Sequence, residues 1–142
     1  MSQTQDAAAA PATAPPSMRF GLVKFVVRDV AAMTAFYERA LGLAVTRTID
    51  LPMLVEKVLA FPGEPAGGFS LVLYYNKDDR PIAVGSGHGP LGLYVRDVDA
   101  AYAHAVACGA TGDRAPFDIG DMRIAFVSDP EGHQLEFLSM RG

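Results

Sequence analysis

The 142-residue chain has a single cysteine, Cys108, and no tryptophan. One cysteine excludes an intrachain disulfide, which agrees with a reducing compartment. No apolar run approaches the roughly 20 residues that cross a bilayer. The N-terminal segment has neither a basic region nor a long apolar one, which predicts no secretory signal. We therefore expect a cytoplasmic protein that does not bind membranes.

Concentrated positive charge is also missing. The 12 Lys and Arg residues are scattered, 16 Asp and Glu residues outnumber them, and the formal net charge is −4. Because nucleic acids are bound by a dense basic face, this distribution argues against a nucleic-acid partner. What the chain does have is apolar residues, at 50% of its positions, which is enough for the core of one domain.

The composition changes along the chain. The first 17 residues are rich in Ala, Pro and Thr without a periodic apolar pattern, which predicts a disordered tail over residues 1–17. A folded domain is then expected over residues 18–142. Within it, the segment 76–89 is rich in Gly and charge, and it forms either a lid or only a linker between two halves.

The first half of the domain combines strand and helix signals. Apolar alternation predicts a strand from Arg19 to Val27, and Asp29 is placed to cap a helix that Gly42 ends. The segment 50–60 is ambiguous, because it also suits a helical turn. Further strands are predicted near 43–49, 56–61 and 69–75.

The second half repeats this pattern. VVRDVAA at 26–32 matches YVRDVDA at 94–100, and FPGEPAGGFSLVL at 61–73 matches FVSDPEGHQLEFL at 126–138 with a one-residue gap. Asp97 is placed to cap a second helix, and the turn DPEG separates two final strands, near 122–127 and 134–139. The repeat predicts two strand–helix–strand–strand–strand units whose sheets pair, with helices covering the outer faces.

These motifs resemble the vicinal-oxygen-chelate superfamily, the glyoxalase, bleomycin-resistance and extradiol-dioxygenase type. The resemblance covers residues 19–140 and rests on VKFVVRDVAAMTAFYERALGL, LGLYVRDVDAAYAHAVACGA and the ending FVSDPEGHQLEFL. It implies an α+β fold of two tandem βαβββ modules, over about 18–76 and 88–140, forming a cup-shaped mixed sheet with helices outside. It also implies a homodimer, in which exposed sheet edges are covered.

The resemblance also assigns metal-ligand positions. Metal-dependent members carry His and Glu at four inward positions, which correspond here to Leu22, Val72, Pro90 and Glu136. Leu, Val and Pro side chains cannot coordinate a divalent cation, and one carboxylate does not hold a metal. We therefore expect no metal and no other cofactor. A shifted site that uses His88 and Glu136 keeps a metal-dependent lyase or dioxygenase open as an alternative.

Strand alternation selects the side chains that would line the cup. Glu136 and Lys24 each interrupt an apolar strand, and because a buried carboxylate is costly unless paired, we predict that these two side chains pair. Their role is either structural or ligand-contacting. Glu136 is also the candidate catalytic acid or base. The residues predicted to contact a small-molecule ligand are Lys24, Tyr74, Tyr94, Gln134, Glu136 and His88.

Three functions remain open on these observations. The first is a protein that binds a small organic molecule in a metal-free cup. The second is a metal-independent enzyme of the lyase or isomerase type that works through Glu136, Lys24 and a tyrosine. The third is a member with a structural or regulatory role. The sequence does not name the ligand.

Overall fold

The computed structural model describes residues 14–140 of the chain. Residues 1–13 of the predicted tail therefore lie outside the described residues, whereas residues 14–21 are exposed and form no helix or strand. Within the described part, no helix is long and apolar enough to cross a membrane.

The elements of the described part follow one another as the repeat predicts. The first module contains β1 (Leu22–Val26), α1 (Val30–Leu41), β2 (Ala44–Asp50), β3 (Leu54–Ala60) and β4 (Ser70–Asn76). The second contains β5 (Leu91–Tyr94), α2 (Val98–Ala107), β6 (Thr111–Ile119), β7 (Met122–Ser128) and β8 (Gln134–Met140).

Each module forms its own four-stranded mixed sheet. The strand orders are β1-β4-β3-β2 and β5-β8-β7-β6. In both sheets the first and last strands of the module pair in parallel, and the other pairs are antiparallel. The predicted α+β fold of two βαβββ modules is therefore confirmed. Strands β1 and β5 are edge strands, so each has one edge free of sheet pairing.

Both helices begin at the aspartates expected from the sequence. The Asp29 carboxylate accepts a hydrogen bond from the Ala32 amide at 2.9 Å, and Asp97 accepts one from the Ala100 amide at 3.0 Å. Each bond satisfies a main-chain N–H that the first helical turn leaves without a partner. Helix α1 ends at Gly42, whose φ of 76° lies in the left-handed region that favours glycine.

Two segments differ from the sequence prediction. The ambiguous segment 50–60 contains strand β3 and no helical turn. The sequence pattern does not predict strand β6, because Gly112, Asp113 and Pro116 break its apolar alternation. Strand β6 tolerates Pro116 and two register shifts because it is an edge strand that pairs with β7 alone.

A buried contact, which we call the junction clamp, joins the two modules through Tyr37, Asp129 and His133. Asp129, 2% exposed, accepts a hydrogen bond from Tyr37 Oη at 2.7 Å and one from His133 Nδ1 at 2.9 Å. His133 Nε2 donates to the carbonyl oxygen of Val26 at 3.0 Å, and its ring stacks on Phe25 with centroids 4.6 Å apart. Both ring nitrogens thus lie within hydrogen-bond distance of an acceptor.

The clamp also controls the charge of its members. Burial alone would raise the pKa of Asp129, but the hydrogen bonds from His133 and Tyr37 outweigh it and hold this pKa below its usual value. Burial, followed by the neighbouring Asp129 charge, raises the pKa of Tyr37, which therefore remains a donor. Beside the clamp, Glu131 accepts from the amides of Arg28 and Asp29 at 2.7 and 2.9 Å, which ties the turn to the start of α1.

We expect Asp129→Asn to lower the free energy of unfolding by about 2–4 kcal/mol, because Tyr37 and His133 would lose the charged acceptor to which both donate. Because the folded-state pKa of Asp129 is lowered, its contribution is complete above the unfolded value near pH 4 and is lost as pH falls through the folded value. Urea unfolding at a series of pH values measures both effects. Asp121→Asn, at an exposed turn, is the control and should change little.

Candidate functional site

The face of each sheet opposite the helices, here called the open face, carries the side chains that alternation selects. Strand pairing aligns Lys24 with Val72 and Val26 with Tyr74 in the first sheet. Their neighbours Val23, Phe25, Leu71 and Leu73 pack instead into the core beneath the helices. In the second sheet, Gly92 aligns with Glu136 and Tyr94 with Leu138.

The predicted pairing of Lys24 with Glu136 is wrong in this chain. Lys24 Nζ lies 2.6 Å from Glu56 Oε2 and 5.4 Å from the centroid of the Tyr74 ring. Glu56 and Tyr74 both lie in the first sheet with Lys24. Strand β4 lies between β1 and β3, and Glu56 of β3 aligns with Tyr74 of β4. Glu136 lies in the other sheet, so the nearer carboxylate takes the ammonium group.

Glu56 is the residue that sequence reasoning missed. It is 9% exposed, and it interrupts the apolar strand β3 just as Lys24 interrupts β1. That interruption was a usable signal, but the ambiguity of segment 50–60 hid which face Glu56 occupies. The pair places one ammonium and one carboxylate beside Val72, which is itself 1% exposed.

The Glu136 carboxylate has a different environment. It is half-buried on the open face of β8, and no hydrogen bond or ion pair joins it to another residue within 14–140. Tyr94, two strand positions beyond Gly92, is 81% exposed. These two candidate residues are therefore free to contact a ligand or another protein surface.

A cavity with a volume of about 770 Å³ lies where the modules meet. We call it the junction cleft. It runs along the free edge of β1 and is closed on one side by the linker, with Ile82, Val84 and Pro90 among its lining. Of the six predicted ligand contacts it brings together Lys24, His88 and Gln134, but not Tyr74, Tyr94 or Glu136.

The Asp113 carboxylate holds two polar side chains of the cleft, those of Ser128 and Gln134, in place. Ser128 Oγ donates to Asp113 Oδ2 at 2.6 Å, and Gln134 Nε2 donates to the same oxygen at 3.1 Å. Gln134 therefore has a fixed orientation and keeps its carbonyl oxygen and one N–H available. His88 is exposed at the mouth of the cleft.

The four positions that the resemblance assigns to metal ligands do not fit a metal. Leu22, Val72 and Pro90 offer no donor atom, so Glu136 is the single ligating side chain among them. Across residues 14–140, no three His, Cys, Asp or Glu side chains lie close enough to hold an ion. We therefore derive no chemistry through a metal.

Arg123, another residue that could reach an anion, is already engaged. Its guanidinium donates to Asp99 at 2.9 Å and to Asp118 at 3.0 Å. These hydrogen bonds hold the pKa of Arg123 above its usual value. It lies outside the junction cleft and takes no part in the candidate site.

A pair of double-mutant cycles tests the reassigned ion pair. We expect Lys24→Met and Glu56→Gln to be non-additive in unfolding free energy by about 0.5–1 kcal/mol, a value reduced because Lys24 is half exposed. Lys24→Met combined with Glu136→Gln should be additive within about 0.5 kcal/mol. Denaturant unfolding of the variants measures both cycles, and the reverse order of coupling would contradict the assignment.

Comparison with known proteins agrees with this architecture. The lactoylglutathione lyase of Haemophilus influenzae is 31% identical over 116 residues, covering 79% of this chain and 85% of that protein. A probable chloroplastic lactoylglutathione lyase of Arabidopsis thaliana is 30% identical over 120 residues, covering 82% of this chain. The chain spans 34% of the length of that plant protein.

Solved structures show the same fold. Glyoxalase I of Leishmania major superposes with a TM-score of 0.75 at 27% identity, covering 87% of each chain. Glyoxalase I of Zea mays superposes with a TM-score of 0.78 at 24% identity, covering 87% of this chain and 45% of the maize chain. A family model matches residues 19–137. The chain therefore belongs to the Glyoxalase/Bleomycin resistance protein/Dioxygenase superfamily.

Proposed function

We propose that the chain binds a small organic molecule without a metal ion. The observation that carries this proposal is the donor set, since only Glu136 of the four ligand positions has an atom that could coordinate a cation. The alternative shifted site is not supported, because the junction cleft contains His88 but not Glu136.

The junction cleft has the properties of a ligand site. Its volume falls within the range of about 300–1,000 Å³ that is usual for small-molecule pockets. An apolar wall that includes Ile82, Val84 and Leu91 faces a few polar groups, namely Lys24, His88 and Gln134. Such a combination holds an apolar body and fixes its orientation through hydrogen bonds.

We expect protein purified without added metal to contain well below one equivalent of zinc, nickel, iron or manganese by elemental analysis. A thermal-shift screen of small organic acids, amides and amines, run with and without a chelator, should give ligands that raise the melting temperature equally in both conditions. Stoichiometric metal, or ligand binding that the chelator abolishes, would overturn the proposal.

A second candidate is a metal-independent lyase or isomerase that uses Glu136 as acid or base. The observation that favours it is the half-buried carboxylate without a partner within the described residues. A carboxylate in that state can accept a proton from a substrate and, once protonated, return it. Relatives named lactoylglutathione lyase make lactoylglutathione the first substrate to test.

If this second candidate holds, the protein should cleave or form lactoylglutathione in the presence of a chelator. Glu136→Gln should then lower kcat by at least about 100-fold, as loss of an acid–base group does. Absorbance of the thioester bond follows the reaction. Glu38→Gln, at an exposed position on α1, is the matched control. Activity that survives Glu136→Gln would remove Glu136 from the chemistry.

We also propose a homodimer in which a second copy covers the open faces. Within residues 14–140, each sheet carries a helix on one side only, and large apolar side chains protrude from the other. Tyr94, Leu22 and Met140 are 81%, 53% and 58% exposed, and they belong to both modules. A second copy buries such a face on both partners at once, as a twofold interface does.

Light scattering at micromolar concentration should therefore give twice the mass of one chain. Tyr94→Arg should shift the protein towards monomer, because it places a charge in the covered face. Val106→Arg, a comparable change on the helix side, should leave the dimer intact. A monomeric wild type would contradict the proposal.

A further inference from the structure

We propose that the junction cleft selects organic anions, and that Lys24 and His88 bind the carboxylate or an equivalent anionic group. This inference rests on the proposed function and adds the chemical class of the ligand. The cleft differs in charge from the chain around it. Among the described residues that line it there is no Asp or Glu, although the chain contains 16. An anion therefore enters without direct repulsion from the wall.

Lys24 supplies the first donor group. Its ammonium has three N–H donors, and the described hydrogen bonds use it for the single oxygen Oε2 of Glu56, while the Tyr74 ring lies 5.4 Å away. Glu56 is 9% exposed and does not line the cleft. Because this carboxylate offsets much of the ammonium charge, recognition depends on the remaining short-range N–H donors and not on a long-range field.

The free edge of β1 adds a main-chain donor. The Val27 amide donates to Tyr74, and the carbonyl of Gly21 accepts from Ser70. These bonds direct the main-chain groups of alternate residues towards β4, so those of Lys24 and Val26 point to the opposite edge. His133 occupies the Val26 carbonyl there, so the amides of Lys24 and Val26, together with the Lys24 carbonyl, remain at the edge that borders the cleft.

Two carboxylates near the cleft, those of Glu56 and Asp113, do not cancel its preference for anions. Glu56 is bound by Lys24, and Asp113 is bound by both Ser128 and Gln134. Each carboxylate is therefore held by hydrogen bonds through one of its oxygens, and neither residue lines the cavity. His88, exposed at the mouth, adds a ring N–H on the linker side, opposite β1.

Three probes of one shape test the inference, namely phenylacetate, phenylacetamide and phenethylamine. Titration of the nitrogen-15-labelled full chain, followed by amide NMR signals, reports both affinity and location. We expect phenylacetate to shift signals of β1 and of residues 82–91, and to bind at least about tenfold more tightly than the neutral amide or the amine, a factor that corresponds to about 1.4 kcal/mol.

Variants assign the effect to the named side chains. Lys24→Met should weaken phenylacetate binding about tenfold without weakening phenylacetamide, and His88→Gln should weaken it in the same direction. Lys57→Met is the matched control, since Lys57 aligns with Leu73 on the helix side of the same sheet and bonds Thr48. If Lys24→Met unfolds the protein, His88→Gln alone decides.

The outcomes separate the inference from the proposed function. Equal affinity for phenylacetate and phenylacetamide in the cleft would overturn anion selection while leaving metal-free binding intact. Signal shifts confined to the open faces, or an equal loss in Lys57→Met, would overturn the assignment of the site. No binding by any of the three probes would also overturn it.

Discussion

The arrangement of the two modules depends on an aspartate that stays ionised inside the core. Asp129 is tolerable there because Tyr37 and His133 both donate to it, and each lies on a different structural element. His133 then reaches the last carbonyl of β1. One buried charge thus fixes helix α1, the turn before β8 and the edge of β1 relative to one another, and the junction cleft is the space that this geometry leaves along that edge.

The clamp is one-sided, although the chain is a repeat. The repeat places Ala105 at the position of Tyr37, and the first-module turn has Ala66 and Gly68 where the second has Glu131 and His133. The first turn therefore lacks counterparts of Glu131 and His133, the two side chains with which the second turn binds β1 and the residues after it. The two edge strands are consequently unlike, and the polar cleft forms beside β1, where Lys24 lies.

Local structure followed from the sequence because its causes are local. Asp29 and Asp97 precede apolar helical faces, and alternation identified which strand residues face the helices. The Lys24–Glu56 pair did not follow, because it joins strands that are adjacent only through β4, and neither the strand order nor the register is contained in either segment. Strand β6 does not follow from its own residues either. Pro116 argues against a strand in the sequence, but the edge position of β6 tolerates a proline that would disrupt a central strand.

The open faces and Glu136 set a condition on any dimer. A second copy that covers the second sheet would bury the Glu136 carboxylate further, and a buried carboxylate without donors costs several kcal/mol. No residue within 14–140 of the same chain supplies those donors. In the proposed dimer, the covering surface would therefore have to bring an N–H or O–H group to Glu136.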